Sequence, residues 1–213
     1  MKILGLTGSI GMGKSTAAAM VRRLGWPVHD ADSAVHGLMA SGGKAVAAIA
    51  AAFPGVVEAG VVNRGKLGQQ VFADVAALRR LEAILHPLVR AEEMAFLRRH
   101  ARARTRLVVL DIPLLFETGG DRRCDAVATV SCPAFLQTQR VLARPGMSHE
   151  RLSAIRAQQL TDSIKRRKAD FIIFSGLGRA LTWRRLHRAL DQVLLQPGQD
   201  VWPPRPKPRF GHA

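Results

Sequence analysis

The chain has 213 residues, of which 47% are hydrophobic, and its 32 Lys and Arg outnumber its 16 Asp and Glu to give a formal net charge of +16. This length and hydrophobic share predict one compact domain with a real core, and they exclude full disorder, a disulfide mini-protein and a fibrous repeat. The charge favours a polyanionic partner, although the predominance of Arg over Lys beside abundant Ala indicates that compositional bias contributes to it.

Short apolar runs alternate with longer amphipathic ones along the chain, the pattern of βα units that build a parallel sheet. We predict five strands, and the aliphatic third one suits a position buried on both faces. The predicted strands are residues 2–7, 26–30, 106–112, 126–132 and 171–174, and the predicted helices of this core are 14–24, 133–144 and 177–195.

Three segments lie outside this pattern. Residues 35–103 are mainly helical and far longer than a crossover needs, so we predict an inserted helical region. Residues 140–169 are strongly basic, with Pro145-Gly146 breaking a helix before Ser148 can cap the next, and we predict a helical lid. The Pro-rich segment 196–213 is expected to be a flexible, extended tail. The core is then residues 1–34, 104–139 and 170–195.

The cysteines and the apolar segments indicate in which cellular compartment the protein is expected. Cys124 and Cys132 form neither a disulfide framework nor a metal motif, and they suit a reducing compartment. The most apolar segment, residues 45–57, is broken by Pro54 and is too short to span a bilayer. No apolar leader follows the first residues. We therefore expect a cytoplasmic protein with no membrane partner.

One glycine-rich segment follows the first predicted strand and precedes the first helix. It fits the phosphate-loop pattern G-x-x-x-x-G-K-[ST], in which backbone N–H groups and a helix N-terminus surround phosphates. Lys14 is expected to contact the β- and γ-phosphates of ATP, and the Ser15 hydroxyl to bind Mg²⁺. The segment is a poor match to the dinucleotide-binding fingerprint, because Thr16 stands where that pattern has its third glycine. The loop residues are Gly8, Ser9, Ile10, Gly11, Met12, Gly13, Lys14 and Ser15.

Other residues narrow the reaction class. The only Asn of the chain, Asn63, is followed by Arg-Gly-Lys, so the Asn-Lys-x-Asp box of Ras-type GTPases is missing. This argues against guanine specificity of the Ras type. Asp111 is followed by Ile112-Pro113 rather than by the second acid of a mechanical ATPase, which favours a small-molecule kinase. Asp111 itself either touches Mg²⁺ through water or caps a turn. Such a kinase needs a carboxylate near the acceptor hydroxyl, and Asp32, just past the second strand, competes with Asp30 for that role.

With these residues the chain resembles the dephospho-CoA kinase family over about residues 1–176. The Asp-Ala-Asp and Pro-Leu-Leu-Phe-Glu runs are more specific than the phosphate loop alone. The segments that carry the resemblance are the loop at 8–16, Asp30-Ala31-Asp32, His86-Pro87, the run at 113–117, Gln139-Arg140, Arg144, Gln159 and Ala169-Asp170.

The resemblance implies a three-layer α/β/α P-loop fold with a five-stranded parallel sheet, a helical CoA-binding region and a lid. It implies that ATP, with Mg²⁺, phosphorylates the ribose 3′-hydroxyl of dephospho-CoA, the last step of coenzyme A biosynthesis, in a monomer or weak homo-oligomer. Asp32 matches the general base of the family, and residues 11–16, Thr16 included, match the loop that binds the phosphates of ATP. Arg140 and Arg144 match lid arginines, with a plain helix-surface role as the alternative, which applies more to Arg144.

The same resemblance places further residues at the acceptor. Arg64 faces the phosphates of the acceptor or is a solvated surface arginine. His86 contacts the acceptor or instead satisfies a backbone group at a helix boundary. Pro113, Leu114 and Leu115 wall the acceptor site, or the two leucines pack in the core. Glu117 hydrogen-bonds the acceptor or the arginines, or is a surface carboxylate. The chain departs from the family at Phe174-Ser175-Gly176, because the family usually has an Asn two residues before a Gly there and this chain is one residue shorter. The resemblance therefore does not carry over the adenine contacts of this loop.

Two other functions stay open on the residues alone. A nucleoside or nucleoside-monophosphate kinase shares the loop, the lid and the size. A nucleic-acid-binding ATPase is suggested by the charge and by the run Lys165-Arg166-Arg167-Lys168. The absence of Tyr and an aromatic content of 5% argue against nucleic acid, because few stacking platforms are present.

Overall fold

A computed structural model of the protein describes residues 1–72, 74–195 and 201–203. A five-stranded parallel sheet has the strand order β2-β5-β1-β6-β7. This confirms the predicted α/β fold, and the strands start and end within about two residues of the predicted limits. The sheet strands are β1 (Lys2–Thr7), β2 (Val28–Asp30), β5 (Leu107–Asp111), β6 (Ala126–Ser131) and β7 (Phe171–Phe174).

The strand before the phosphate loop, β1, lies at the centre of the sheet, between β5 and β6. Every residue of β5 is buried, as its aliphatic sequence predicts. Helices α1 (Lys14–Arg23) and α9 (Arg179–Leu195) pack together against this sheet, and their buried Ala, Val and Leu side chains share one core with those of the strands. Gly25, at a φ of 84°, follows α1 and donates its N–H to the carbonyl oxygen of Arg22.

Between β6 and β7 lie three helices, α6 (Ala134–Leu142), α7 (His149–Ala157) and α8 (Asp162–Lys168). The Ser148 side chain accepts from the N–H of Arg151 and Thr161 does the same for Ile164, so each caps the helix that follows it. A short 3-10 helix, Gly120–Arg123, precedes β6. Of the predicted tail, only residues 201–203 are among those described, and the rest of that prediction lies outside them.

The chain divides into two compact units, Met1–Val28 with Arg104–Ala213, and His29–Ala103. The second unit has its own core, in which Ile49, Phe53 and Val56 are almost completely buried. A two-stranded antiparallel hairpin, which is not among the predicted elements, lies between two of its helices. Its elements are α2 (Ala31–Met39), α3 (Val46–Ala52), β3 (Val57–Glu58), β4 (Val61–Val62), α4 (Arg64–Phe72) and α5 (Val75–Arg102).

Two predicted boundaries in the second unit need correction. A start of the insertion at residue 35 falls inside α2, because Asp30 already caps that helix by accepting from the N–H of Ser33. The alternative that His86 marks a helix boundary is wrong, because His86 and Pro87 both lie inside the 28-residue helix α5. Proline costs this helix one hydrogen bond, and packing of α5 against α2, α3 and α4 offsets that cost.

None of the helices in the described ranges is both long enough and apolar enough to span a membrane. Neither cysteine forms a disulfide, and both are buried. Cys132 lies behind the phosphate loop, with its Sγ 3.5 Å from Sδ of Met12. Burial raises the pKa of the Cys132 thiol, so that it acts as a packing group rather than as a nucleophile.

Candidate active site

The phosphate loop follows the carboxyl end of β1 and opens helix α1. Gly11 and Gly13 have φ values of 75° and 92°, a left-handed backbone that side chains rarely adopt. A Cβ on Gly11 would approach Cγ2 of Val141 to 2.5 Å, so the loop also needs glycine there for space. Gly13 is the N-cap of α1 and has no side chain with which to cap it. The first N–H groups of the helix are therefore suited to an anion.

Lys14 and Asp111 form an ion pair at the base of this loop. Nζ of Lys14 lies 2.7 Å from Oδ1 of Asp111, and the two side chains are 12% and 2% exposed. This lysine is not part of either expectation for Asp111, a water-mediated contact to Mg²⁺ or the cap of a turn. The pair fixes the ammonium group of Lys14, the first residue of α1, and the residue that follows it in the chain, Ser15, is exposed.

Arg140 is fixed by the loop that follows β7. Its Nη1 donates to Oγ of Ser175 at 2.9 Å, and its Nη2 donates to the carbonyl oxygen of the same residue at 3.0 Å. The Ser175 hydroxyl in turn donates to the carbonyl oxygen of Met12 in the phosphate loop at 2.6 Å. Ser175 thus joins this arginine to the phosphate loop. Arg144, one turn later, is exposed.

The run at 113–117 supplies both backbone and side-chain contacts. The carbonyl oxygen of Pro113 accepts from Oγ1 of Thr7 at 2.9 Å and from Nζ of Lys165 at 2.9 Å. Leu114 is 37% exposed, whereas Leu115 is completely buried and packs against Gly5. We therefore assign the Leu115 side chain to the core rather than to a substrate wall.

Glu117 is not a surface carboxylate, because its side chain is only 15% exposed. Its Oε1 lies 2.9 Å from Nζ of Lys165 and accepts from the N–H of Leu160 at 2.8 Å. Its Oε2 is buried, and no donor to it is found among the described residues. The Lys165 side chain is completely buried, which cannot be predicted from the sequence because Lys165 opens a run of four basic residues.

In the second unit, the structure separates the two competing aspartates. Asp30 is the N-cap of α2, while Asp32 lies exposed in the first turn of the same helix. Arg64 is the exposed first residue of α4, and His86 is exposed on α5. Among the described residues, no group of three or more His, Cys, Asp or Glu side chains forms a metal site.

Comparisons with known proteins agree with the sequence resemblance. A family model described as dephospho-CoA kinase matches residues 2–176. A dephospho-CoA kinase of Paramagnetospirillum magneticum is 74% identical over 166 residues, which cover 78% of each chain. One from Mesorhizobium japonicum is 56% identical over 198 residues, covering 93% of this chain and all of the relative.

Solved structures show the same fold. The crystal structure of TT1252 from Thermus thermophilus matches with a TM-score of 0.77 and 34% identity, over 90% of this chain and 96% of that one. The dephospho-CoA kinase from Campylobacter jejuni matches with a TM-score of 0.63 at 23% identity, over 90% of this chain and 97% of that one, and it supports the fold alone. From the family match and the identities to the curated relatives, the chain belongs to the dephospho-CoA kinase family.

Proposed function

We propose that this protein transfers the γ-phosphoryl group of ATP to the ribose 3′-hydroxyl of dephospho-CoA, giving coenzyme A in the cytoplasm. The observation that carries the proposal is the glycine-rich loop before α1, with Lys14 held by Asp111, in a chain of this family. Buried cysteines that form no disulfide suit the reducing compartment. We expect the enzyme to act as a monomer or a weak homo-oligomer, with no nucleic-acid or membrane partner.

The phosphate loop is the proposed binding site for the phosphates of ATP. The uncapped helix N-terminus after Gly13 supplies backbone donors, and Lys14 supplies a positive charge that Asp111 keeps in one orientation. The loop residues 8–16 are proposed to bind the phosphates in this way. Arg140, anchored on Ser175, is proposed to offset the charge that develops on the transferred group, and Arg144 to close over ATP with it.

The donor atoms near Lys14 fit a magnesium ion. The exposed hydroxyl of Ser15 and the carboxylate of Asp111 are oxygen ligands of the kind Mg²⁺ prefers. When bound, the ion would neutralise negative charge on the β- and γ-phosphates. Ser15 is the residue that we propose to hold it directly.

Residues of the helical region are proposed to receive the acceptor. Asp32 is the proposed general base, which takes the proton of the 3′-hydroxyl, because its carboxylate is exposed whereas Asp30 caps α2. Arg64 is proposed to bind acceptor phosphates, and the exposed His86 to contact the acceptor. The second unit, residues 29–103, is the proposed CoA-binding region, and residues 140–169 are the proposed lid, which excludes water during transfer.

The run at 113–117 is proposed to contribute a smaller part of the acceptor site. Leu114 is exposed enough to meet a ligand, and Pro113 fixes the backbone on which it stands. Oε2 of Glu117 is a buried acceptor suited to a substrate hydroxyl.

A panel of acceptors tests the proposal. ADP release is measured with dephospho-CoA, nucleosides and nucleoside monophosphates, each with ATP and Mg²⁺. We expect turnover with dephospho-CoA at least 100-fold above the others. Preferred turnover of a nucleoside or nucleoside monophosphate would replace this function with that of another small-molecule kinase. DNA-stimulated ATP hydrolysis without transfer would favour a nucleic-acid-binding ATPase, which the burial of Lys165 already weakens.

A further inference from the structure

Both backbone polar groups of Ile10, the third residue of the phosphate loop, are bound by glutamine side chains. The N–H of Ile10 donates to Oε1 of Gln159 at 3.1 Å. Its carbonyl oxygen accepts from Nε2 of Gln137 at 2.7 Å. One glutamine therefore acts as acceptor and the other as donor, so each side-chain amide matches the backbone group it meets.

Gln137 is itself held in place. Its side chain is only 5% exposed, on the buried side of α6. Its Oε1 accepts from Nη2 of Arg156 at 2.6 Å, and this contact fixes which end of the amide faces Ile10. The same arginine nitrogen donates to Oγ1 of Thr138 at 3.0 Å. Arg156 thereby links α7 to α6 behind the loop.

Gln159 is held through its neighbour. The N–H of Leu160 donates to Oε1 of Glu117, which is also the partner of the buried Lys165. This ion pair fixes the backbone between α7 and α8, from which the Gln159 side chain reaches the loop. A buried lysine needs a partner of this kind, since an unpaired charge there would be costly.

The glycine content of the phosphate loop explains why hydrogen bonds that order it are useful. Residues 8–13 include three glycines, and a glycine-rich segment loses more conformational freedom on ordering than other segments do. If that freedom were lost only when nucleotide binds, it would weaken the affinity for nucleotide. Hydrogen bonds that order the loop beforehand remove this cost. The N–H of Ile10 is directed to Gln159, so its role is to fix the loop rather than to bind phosphate.

We propose that Gln137 and Gln159 are positioning residues that hold the phosphate loop in its nucleotide-binding conformation through Ile10. The inference rests on the proposed ATP-binding function of that loop. Because Gln159 lies within the proposed lid and Gln137 on the helix that leads into it, the same contacts make the order of the loop depend on the placement of these helices.

The test compares two adjacent glutamines in the full-length protein. Gln159→Met keeps the length of the side chain and removes the acceptor, whereas Gln158→Met changes an exposed neighbour and is the matched control. We expect Gln159→Met to raise the Kd for ADP and the KM for ATP roughly 3- to 10-fold, the range for loss of one hydrogen bond. The kcat should stay within about twofold, because saturating nucleotide orders the loop in both proteins.

A second measurement reads the contact directly. Hydrogen exchange of the Ile10 amide, followed by NMR without nucleotide, should be slow in the parent protein and in Gln158→Met but faster in Gln159→Met. A variant that is only less stable would exchange faster at many amides, and its KM for ATP would not rise relative to its kcat. Gln137→Met, which removes the donor to the carbonyl oxygen, should raise the Kd for ADP in the same way.

The outcomes separate this inference from the proposed function. A parent protein that fails to bind ADP would overturn the function of the loop itself. Nucleotide binding by the parent with an unchanged Kd in Gln159→Met would overturn the positioning role. Fast exchange of the Ile10 amide in the parent protein would do the same without any variant, so a variant that folds poorly does not leave the proposal untested.

Discussion

Lys165 is completely buried, and its ammonium nitrogen lies 2.9 Å from Oε1 of Glu117. The pair joins α8 to the run at 113–117, and the carbonyl oxygen of Pro113 completes the surroundings of the ammonium group. The buried charge therefore fastens the segment that follows β5 to the helices between β6 and β7.

We expect Lys165→Met to lower the free energy of unfolding by about 3–5 kcal/mol, because it leaves the carboxylate of Glu117 without its cation in a largely buried position. Lys168→Met is the matched control on the same helix, where the lysine is exposed over the ring of Phe116, and it should cost about 1 kcal/mol or less. Urea denaturation measures both. Adding Glu117→Gln to Lys165→Met should restore part of the loss, and equal losses in the two single variants would contradict this account.

Lys14→Ala is expected to raise the Kd for ATP and to reduce turnover about 100-fold or more, because it removes the positive charge that the phosphate loop itself carries. Calorimetric titration with ATP and the kinase assay measure the two effects. Lys2→Ala is the control, since Lys2 begins β1 at the end opposite the loop. Unchanged ATP binding in a folded Lys14→Ala protein would refute the assignment of the loop.

Asp32→Asn is expected to depress kcat about 10²- to 10⁴-fold and to leave the Kd for ATP within about twofold, as for loss of a general base. Asp30→Asn is the comparison, because Asn also caps helices well and α2 should keep its N-terminus. It should lose far less activity than Asp32→Asn. Equal turnover in the parent and Asp32→Asn proteins would remove Asp32 from the reaction.

Acid should destabilise the protein through His29. Burial is the main cause that lowers the pKa of His29 from 6.5, against smaller opposing effects of Glu93, Asp30 and Glu92. Below about pH 6.5 the unfolded chain therefore takes up a proton more readily than the folded one, so stability falls as the pH decreases until His29 also protonates in the folded state. Above that pH the residue is neutral in both states and contributes no pH dependence.

The measurement is the midpoint of urea unfolding between pH 7.5 and 5. His29→Phe should flatten its decline, since a phenyl ring can keep the contact with Phe96, whose ring centroid lies 5.3 Å from that of His29. The pKa of His100 is also lowered by burial, so part of the decline should remain. A decline that is as steep in His29→Phe as in the parent would contradict the prediction.

Much of the fold follows from local sequence patterns. The alternation of apolar runs gives the sheet strands, and the loop pattern, Ser148 and Gly25 mark helix ends correctly, because each depends on near neighbours. The two-residue strands β3 and β4 are too short for periodicity to reveal. The helix boundary expected at Pro87 is absent for a different reason, because packing of the long helix α5 outweighs the local tendency of proline to end a helix.

The candidate site also has one part that can be predicted from local sequence and another part that cannot. Lys14 and Ser15 stand in a motif with fixed spacing, so their positions can be predicted from the sequence. The Lys14–Asp111 pair, the Arg140–Ser175 contact and the burial of Lys165 join residues far apart in the chain. Such contacts depend on how the strands and helices assemble, and a basic run offers no local signal that one of its members is inside the core.

The position of β1 at the centre of the sheet has a consequence for the order of assembly during synthesis. Both neighbours of β1 come late, since Lys2 pairs with Leu107 and Leu4 with Ala126. The intervening residues 29–103 have a core of their own and can collapse first. During synthesis, the first strand therefore remains unpaired until both of its neighbouring strands have been made. The newly made amino-terminal strand, apolar along most of its length, is thus the segment that most needs shielding until the second half of the chain emerges.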